Sequence, residues 1–253
     1  SVAARPFRPA KYDPPRPHPK LRLTRAQKSA AHRAETAVRI LAARARTEFV
    51  PLWRVHLAQP AITRALARRQ RRDAYEADPE PVYTWFLNQQ YRIVQSQARL
   101  QQGTIGVKAN AHSPRVQMAL SKGRDDARDL ITKASKALDS DLDSVLLNPD
   151  NFGLRHEELR DLLLDRGNVS ESRAEVIARD QTTKCNAAIA RAGHEDAGFD
   201  KYIWSTSMDE RVRPEHSVLE GQVFSYAIGS PEGNPGEPIM CRCVALPYEG
   251  DED

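Results

Sequence analysis

A chain of 253 residues that is 40% hydrophobic is long enough for one large or two small domains with a genuine core. It contains no apolar run of about 20 residues and no apolar stretch of the kind a secretory signal has, which argues against membrane insertion and secretion. Three cysteines, Cys185, Cys241 and Cys243, are too few and too clustered for a disulfide scaffold, so folding in a reducing cytoplasm is expected. Ser1 fits removal of an initiator methionine and maturation of a longer precursor equally well.

The net charge of +4 conceals an asymmetry. Residues 1–72 carry 18 Lys and Arg against Asp13, Glu35 and Glu48, a balance of +15, which leaves −11 for the remainder. A basic front attached to an acidic back points to contact with a polyanion or an acidic protein surface, with a merely solvated basic helix as the plain alternative.

Residues 1–22 hold six prolines among scattered Arg and Lys and read as an extended arm that orders only against a partner. A helix is predicted from Thr24, with Gln27 completing a capping box and Ala30, Ala34, Val38, Leu41, Ala45 and Phe49 forming its apolar stripe. Pro51 is expected to break it. A second helix follows over about 52–72, kinked or split at Pro60, with Arg64, Arg68, Arg71 and Arg72 as the candidate contacts to phosphate or an acidic partner. Val82, Trp85, Phe86, Gln89, Ile93 and Leu100 predict a helix over 81–102, ended by the loop at 103–106, with both aromatics in the core. Ser113-Pro114 opens a long helix through Leu138.

Asp139, Asp141 and Asp143 have the spacing that begins a calcium loop, with Asp150 at its end, but Ser144 replaces the required glycine and the closing glutamate is absent. Aspartates at a helix junction are the ordinary explanation. A short helix is expected to end at Gly167, and Ser170 to cap another over about 171–197 that buries Cys185 as a core thiol. Beyond Gly198 the periodicity becomes strand-like at 201–206, 222–226 and 241–246. The fold class expected is mainly α with a small C-terminal α+β domain: an extended basic Pro-rich N-terminal arm over 1–22, a helical docking region over 23–150 and an α+β unit over 151–253.

His216, Cys241 and Cys243 are soft ligands that could converge on a structural zinc, with Cys185 or His194 as fourth ligand; a reduced packed pair of thiols is the alternative. A catalytic constellation would use His216 as general base oriented by Asp209 or Glu220, although no nucleophile or phosphate-binding glycine loop stands beside it. That reading would be a metal-dependent nuclease or transferase built on His216, Asp209, Cys241 and Cys243. A third reading is a free basic DNA-binding protein.

From Ser170 to Pro247 the order of motifs resembles the C-terminal domain of the phage Mu F-like head-morphogenesis proteins. The resemblance rests on the helix Ser170-Glu171-Ser172-Arg173-Ala174-Glu175-Val176-Ile177-Ala178-Arg179 and the strand-turn from Trp204 through Asp209 to Arg213. It continues with His216, Leu219-Glu220-Gly221, and the run from Pro235 to Cys241-Arg242-Cys243. Arg173, Trp204, Asp209, Arg213, His216, Gly221, Cys241 and Cys243 are the motif positions. Asp180-Gln181 stands where the family usually has Thr-Glu, and Met240 where it usually has Asn. The resemblance implies a non-enzymatic minor head protein of a tailed bacteriophage, assembled in the host cytoplasm and lodged inside the virion head. Its implied partners are the portal protein, the major capsid protein and, through the basic front half, packaged double-stranded DNA.

Overall fold

The computed structural model describes residues 22–70, 78–106, 110–151 and 154–250; the expected arm, apart from Arg22, lies outside them. The chain is mainly helical and ends in a small antiparallel sheet. In order it runs through α1 (Arg25–Trp53), a π-turn (Arg54–Ala58), α2 (Gln59–Gln70), α3 (Glu80–Ile105), α4 (Pro114–Leu147) and α5 (His156–Asp196). Then come β1 (Lys201–Ser205), the short α6 (Pro214–Ser217), β2 (Val223–Ser225) and β3 (Val244–Tyr248). Among the described residues no helix is long and apolar enough to cross a membrane.

Helix α1 starts as its sequence dictates. The Thr24 hydroxyl accepts from the Gln27 amide at 3.2 Å and the Gln27 side chain accepts from the Thr24 amide at 2.9 Å, satisfying two otherwise orphan donors. It does not stop at Pro51. The chain stays helical through Trp53 and into the π-turn, where the Gln59 amide reaches back to the Arg54 carbonyl. An interior proline costs about 3 kcal/mol. Truncating a buried Phe or Trp costs about 3–5 kcal/mol each, and Phe49 and Trp53 are fully buried on this face, with Leu57, Ala58 and Ala61 beyond them. Continuity of the stripe therefore outweighs the proline, and the wider turn absorbs the register defect.

The expected break at Gly167 and cap at Ser170 are also absent, because α5 runs unbroken for 41 residues. Gly167 lets α2 approach, since a Cβ there would lie 2.9 Å from Ile62 Cδ1. The Ser170 hydroxyl caps nothing; it accepts the buried Trp53 indole N–H at 2.9 Å. Two residues that look like a helix boundary are instead the contact points of a crossing. Helix α3 likewise extends beyond residue 102 to Ile105, closed by Gly106 at φ +69°. Helix α4 begins on the expected Ser113 cap, whose hydroxyl accepts from Val116 at 3.1 Å, and runs past Leu138 to Leu147.

The main core gathers Phe49, Trp53, Trp85 and Phe86 with Ile131, Leu138, Leu159 and Leu163, so both aromatics of α3 are core residues as expected. Beside it, α3 presents a polar seam to α4 and α5. Gln90 donates to the Leu120 carbonyl at 2.9 Å, Gln97 to Asn186 Oδ1 at 2.8 Å and Gln101 to the Ala190 carbonyl at 3.2 Å. Gly193 makes room for Gln101, whose side chain would lie 2.2–2.6 Å from a Cβ there.

The sheet has the order β2-β1-β3, both pairs antiparallel, with Tyr202 opposite Phe224 and Pro247, and Ser205 opposite Val244. Alternation along β1 sends Ile203 to one face, against Ala30 and Ala31 of α1 and Leu246. Tyr202 and Trp204 go to the other face, against Leu219, Tyr226, Cys241 and Cys243. The sheet thus rests on the front of α1 and carries the cysteine cluster on its far side.

A candidate metal centre behind the sheet

Cys241 and Cys243 do not lie within a strand, as the periodicity suggested. β1 ends at Ser205, opposite Val244, so residues 241–243 have no strand to pair with and form an extended approach to β3. The turn before them is fixed by several contacts. Gly236 has φ +87° and presses on α5, where a Cβ would fall 2.5 Å from Ala187 Cβ. Met240 sits in the left-handed region at φ +56°, and its amide donates to Asp180 Oδ1 at 2.9 Å. Arg213 donates to the Ile239 carbonyl at 2.6 Å, fastening this turn to the start of α6, which delivers His216.

His216, Cys241 and Cys243 are all buried, and their ligating atoms lie within 4.8 Å of one another. Nδ1 of His216 is 3.7 Å from the Cys241 sulfur and 3.5 Å from the Cys243 sulfur. The Trp204 ring stands nearly upright to the imidazole, 5.4 Å away between centroids. Donation from the Cys243 thiol draws the Cys241 thiol below its ordinary range; the Gly236 and Cys243 amides and the His216 imidazole act in the same sense, against burial. Cys243 is pushed up by its partner thiol and by burial. The two thiols act as a coupled pair, in which one sulfur takes negative charge more readily while the other keeps its proton.

Neither of the fourth ligands considered from sequence reaches this site. Cys185 packs among Leu41, Ile93, Val116 and Leu120, and burial pushes its thiol up to about 12. His194 is committed to the Tyr226 hydroxyl at 2.6 Å, and burial pushes its imidazole down to about 4. Among the described residues, His216, Cys241 and Cys243 are the one group of three His, Cys, Asp or Glu side chains close enough to share an ion.

The carboxylates of the catalytic constellation are engaged elsewhere. Asp209 takes a two-pronged bond from Arg242 at 2.6 and 2.7 Å, which holds its carboxyl down at about 2. Glu220 accepts from the Thr206 amide at 2.5 Å. Gly221, at φ +73°, donates its amide to the Trp204 carbonyl at 2.9 Å and closes the return to β2. Arg173 lies apart from this cluster, bound to Asp141 of α4 at 3.0 Å.

Asp139, Asp141 and Asp143 are on α4 rather than in a calcium loop, and Asp139 pairs with Arg64 at 3.2 Å. That pairing commits the one member of the expected arginine cluster whose side chain is described; the Arg68 side chain, Arg71 and Arg72 lie outside the described residues. One set of exposed basic groups among the described residues was not singled out by sequence reasoning. Arg25, Lys28, His32 and Arg39 are exposed on α1 and fall within an arc of about 60° at 100° per residue. Their spacing of three, four and seven was the available signal.

Residues 147–246, from the end of α4 into β3, match the family model described as Phage Mu protein F like protein. The C-terminal part of the chain is similar to phage Mu F-like proteins. The family is one of phage head-morphogenesis proteins. An uncharacterized protein of Haemophilus influenzae is 45% identical over 96 residues, which make up 38% of this chain and 22% of that relative. The alignment thus spans about a fifth of the curated relative. No solved structure matches the chain. Within the matched region, Asp180, at one departure from the usual motif, supports the turn through the Met240 amide. Met240, at the other, occupies a left-handed position where Asn is better tolerated than most residues.

Proposed function

We propose that this chain is a structural minor component of a tailed-phage head, held at the portal or inner shell during assembly. The observation that carries this reading is the match to the Mu F-like family, which spans all of α5 and the sheet as far as Leu246. Among the described residues no carboxylate joins the His216 ligand group, and Asp209 and Glu220 are bonded to Arg242 and to the Thr206 amide, which weighs against the nuclease or transferase alternative. The helical front supplies the docking surface. The exposed basic face of α1 complements an acidic patch on portal or capsid protein, or the phosphates of packaged DNA, which it would contact without reading sequence.

The test is the copy number of this chain in purified virions and in DNA-free proheads of the phage that encodes it, by quantitative mass spectrometry. A few tightly held copies in both are expected. Absence from both overturns the assignment, and presence in DNA-filled particles alone overturns the assembly role in favour of simple DNA binding.

A further inference from the structure

We propose that His216, Cys241 and Cys243 form a zinc site that staples α6 to the approach of β3, with a solvent oxygen as fourth ligand. The argument begins with distance. Zinc holds thiolate sulfur at about 2.3 Å and imidazole nitrogen at about 2.0–2.1 Å, so the N···S edge of a tetrahedral site is about 3.6 Å. The two edges present here are 3.5 and 3.7 Å, and both converge on one nitrogen, His216 Nδ1. Either tautomer of the imidazole would place at most one proton between Nδ1 and the two sulfurs, so at least one contact is left with a weak or shared hydrogen bond. An ion at their centre accounts for both.

The surroundings of the sulfurs point the same way. The turn before them is held in place by the Met240 amide on Asp180 and by Arg213 on the Ile239 carbonyl, so both sulfurs are delivered beside the His216 ring before any ion binds. Arg242, between the two cysteines, is turned outward onto Asp209, so its cation stays outside the ligand set.

A soft set of two sulfurs and one imidazole suits zinc and excludes magnesium or calcium, which require oxygen ligands. The unit also needs a staple: its sheet has three short strands, and the connection from Ala227 to Cys243 contains no regular element beyond one isolated bridge. Of the three ligands, Cys243 also lines the cleft of about 890 Å³ between α1, α3, α4 and α5, the side from which a solvent ligand would come.

The experiment uses the full chain, purified under reducing conditions without chelator. Elemental analysis is expected to return one zinc per chain. Replacement by cobalt should give a sulfur-to-metal charge-transfer band of two-thiolate intensity with tetrahedral visible bands. Cys241→Ser and Cys243→Ser should each lose the bound metal, while Cys185→Ser, altered in a separate cluster, should keep it. His216→Cys tests the site by exchanging one ligand rather than deleting it, and it should retain cobalt with a three-thiolate spectrum. Absence of both zinc and a cobalt charge-transfer band in the reduced, folded wild-type chain overturns the proposal. So does a Cys241–Cys243 disulfide in the freshly isolated protein, or loss of zinc from Cys185→Ser alone.

Discussion

Acid should weaken this fold through His194. The imidazole is buried on α5, bonded to the Tyr226 hydroxyl at 2.6 Å, with Arg191 over the Tyr226 ring and Glu195 paired to Arg191. Burial lowers its pKa from 6.5 to about 4, so the folded state refuses a proton that the unfolded state accepts. Stability from this neutral form is fully present above pH 6.5 and is lost as pH falls toward 4. Each pKa unit of difference is worth about 1.4 kcal/mol, so the full loss is about 3 kcal/mol and the part expressed between pH 7 and pH 5 is about 2 kcal/mol. Urea denaturation of the wild type and His194→Gln at the two pH values isolates this contribution from the other histidines. The variant should be less stable at pH 7 but lose about 2 kcal/mol less than wild type on going to pH 5. Equal losses in the two proteins would refute the reasoning and place the acid sensitivity elsewhere.

Two further outcomes can be checked directly. Met240→Asn should raise stability by about 0.5–1 kcal/mol, because asparagine tolerates the φ of +56° better while leaving the amide bond to Asp180 in place; thermal melts showing destabilisation would mean that the half-buried Met240 side chain contributes more than its backbone costs. Arg25→Glu, Lys28→Glu and Arg39→Glu together should leave the far-ultraviolet spectrum unchanged yet abolish incorporation into heads. Normal incorporation would remove α1 from the docking surface.

Much of the helical layout was legible because its signals are local. The Thr24 box and the Ser113 cap satisfy amides within one turn, and the burial of Trp85, Phe86 and Cys185 follows from spacing on a single helix face. The misread positions are those where a distant partner decides. Gly167 and Ser170 resemble a helix end until Ile62 and the Trp53 indole are brought against them. Pro51 resembles a stop until the buried stripe on both sides is set against its cost. The three metal-type ligands were visible in sequence, but their common centre depends on the left-handed turn at Met240 and the anchoring of α6 by Arg213. The Gln90, Gln97 and Gln101 seam was missed because glutamine at a core position gives no apolar signal, although its spacing of seven and four marks one helix face.

The packing of Ala30 and Ala31 against Ile203 and Leu246 joins segments as much as two hundred residues apart in the chain. During synthesis the front of α1 leaves the ribosome early, yet the surface it is built to cover does not exist until β3 has emerged. The region recognisable as Mu F-like therefore does not cover both faces of its own sheet. Severed from α1, it would keep its sulfurs and its histidine but leave the opposite face of its sheet wet.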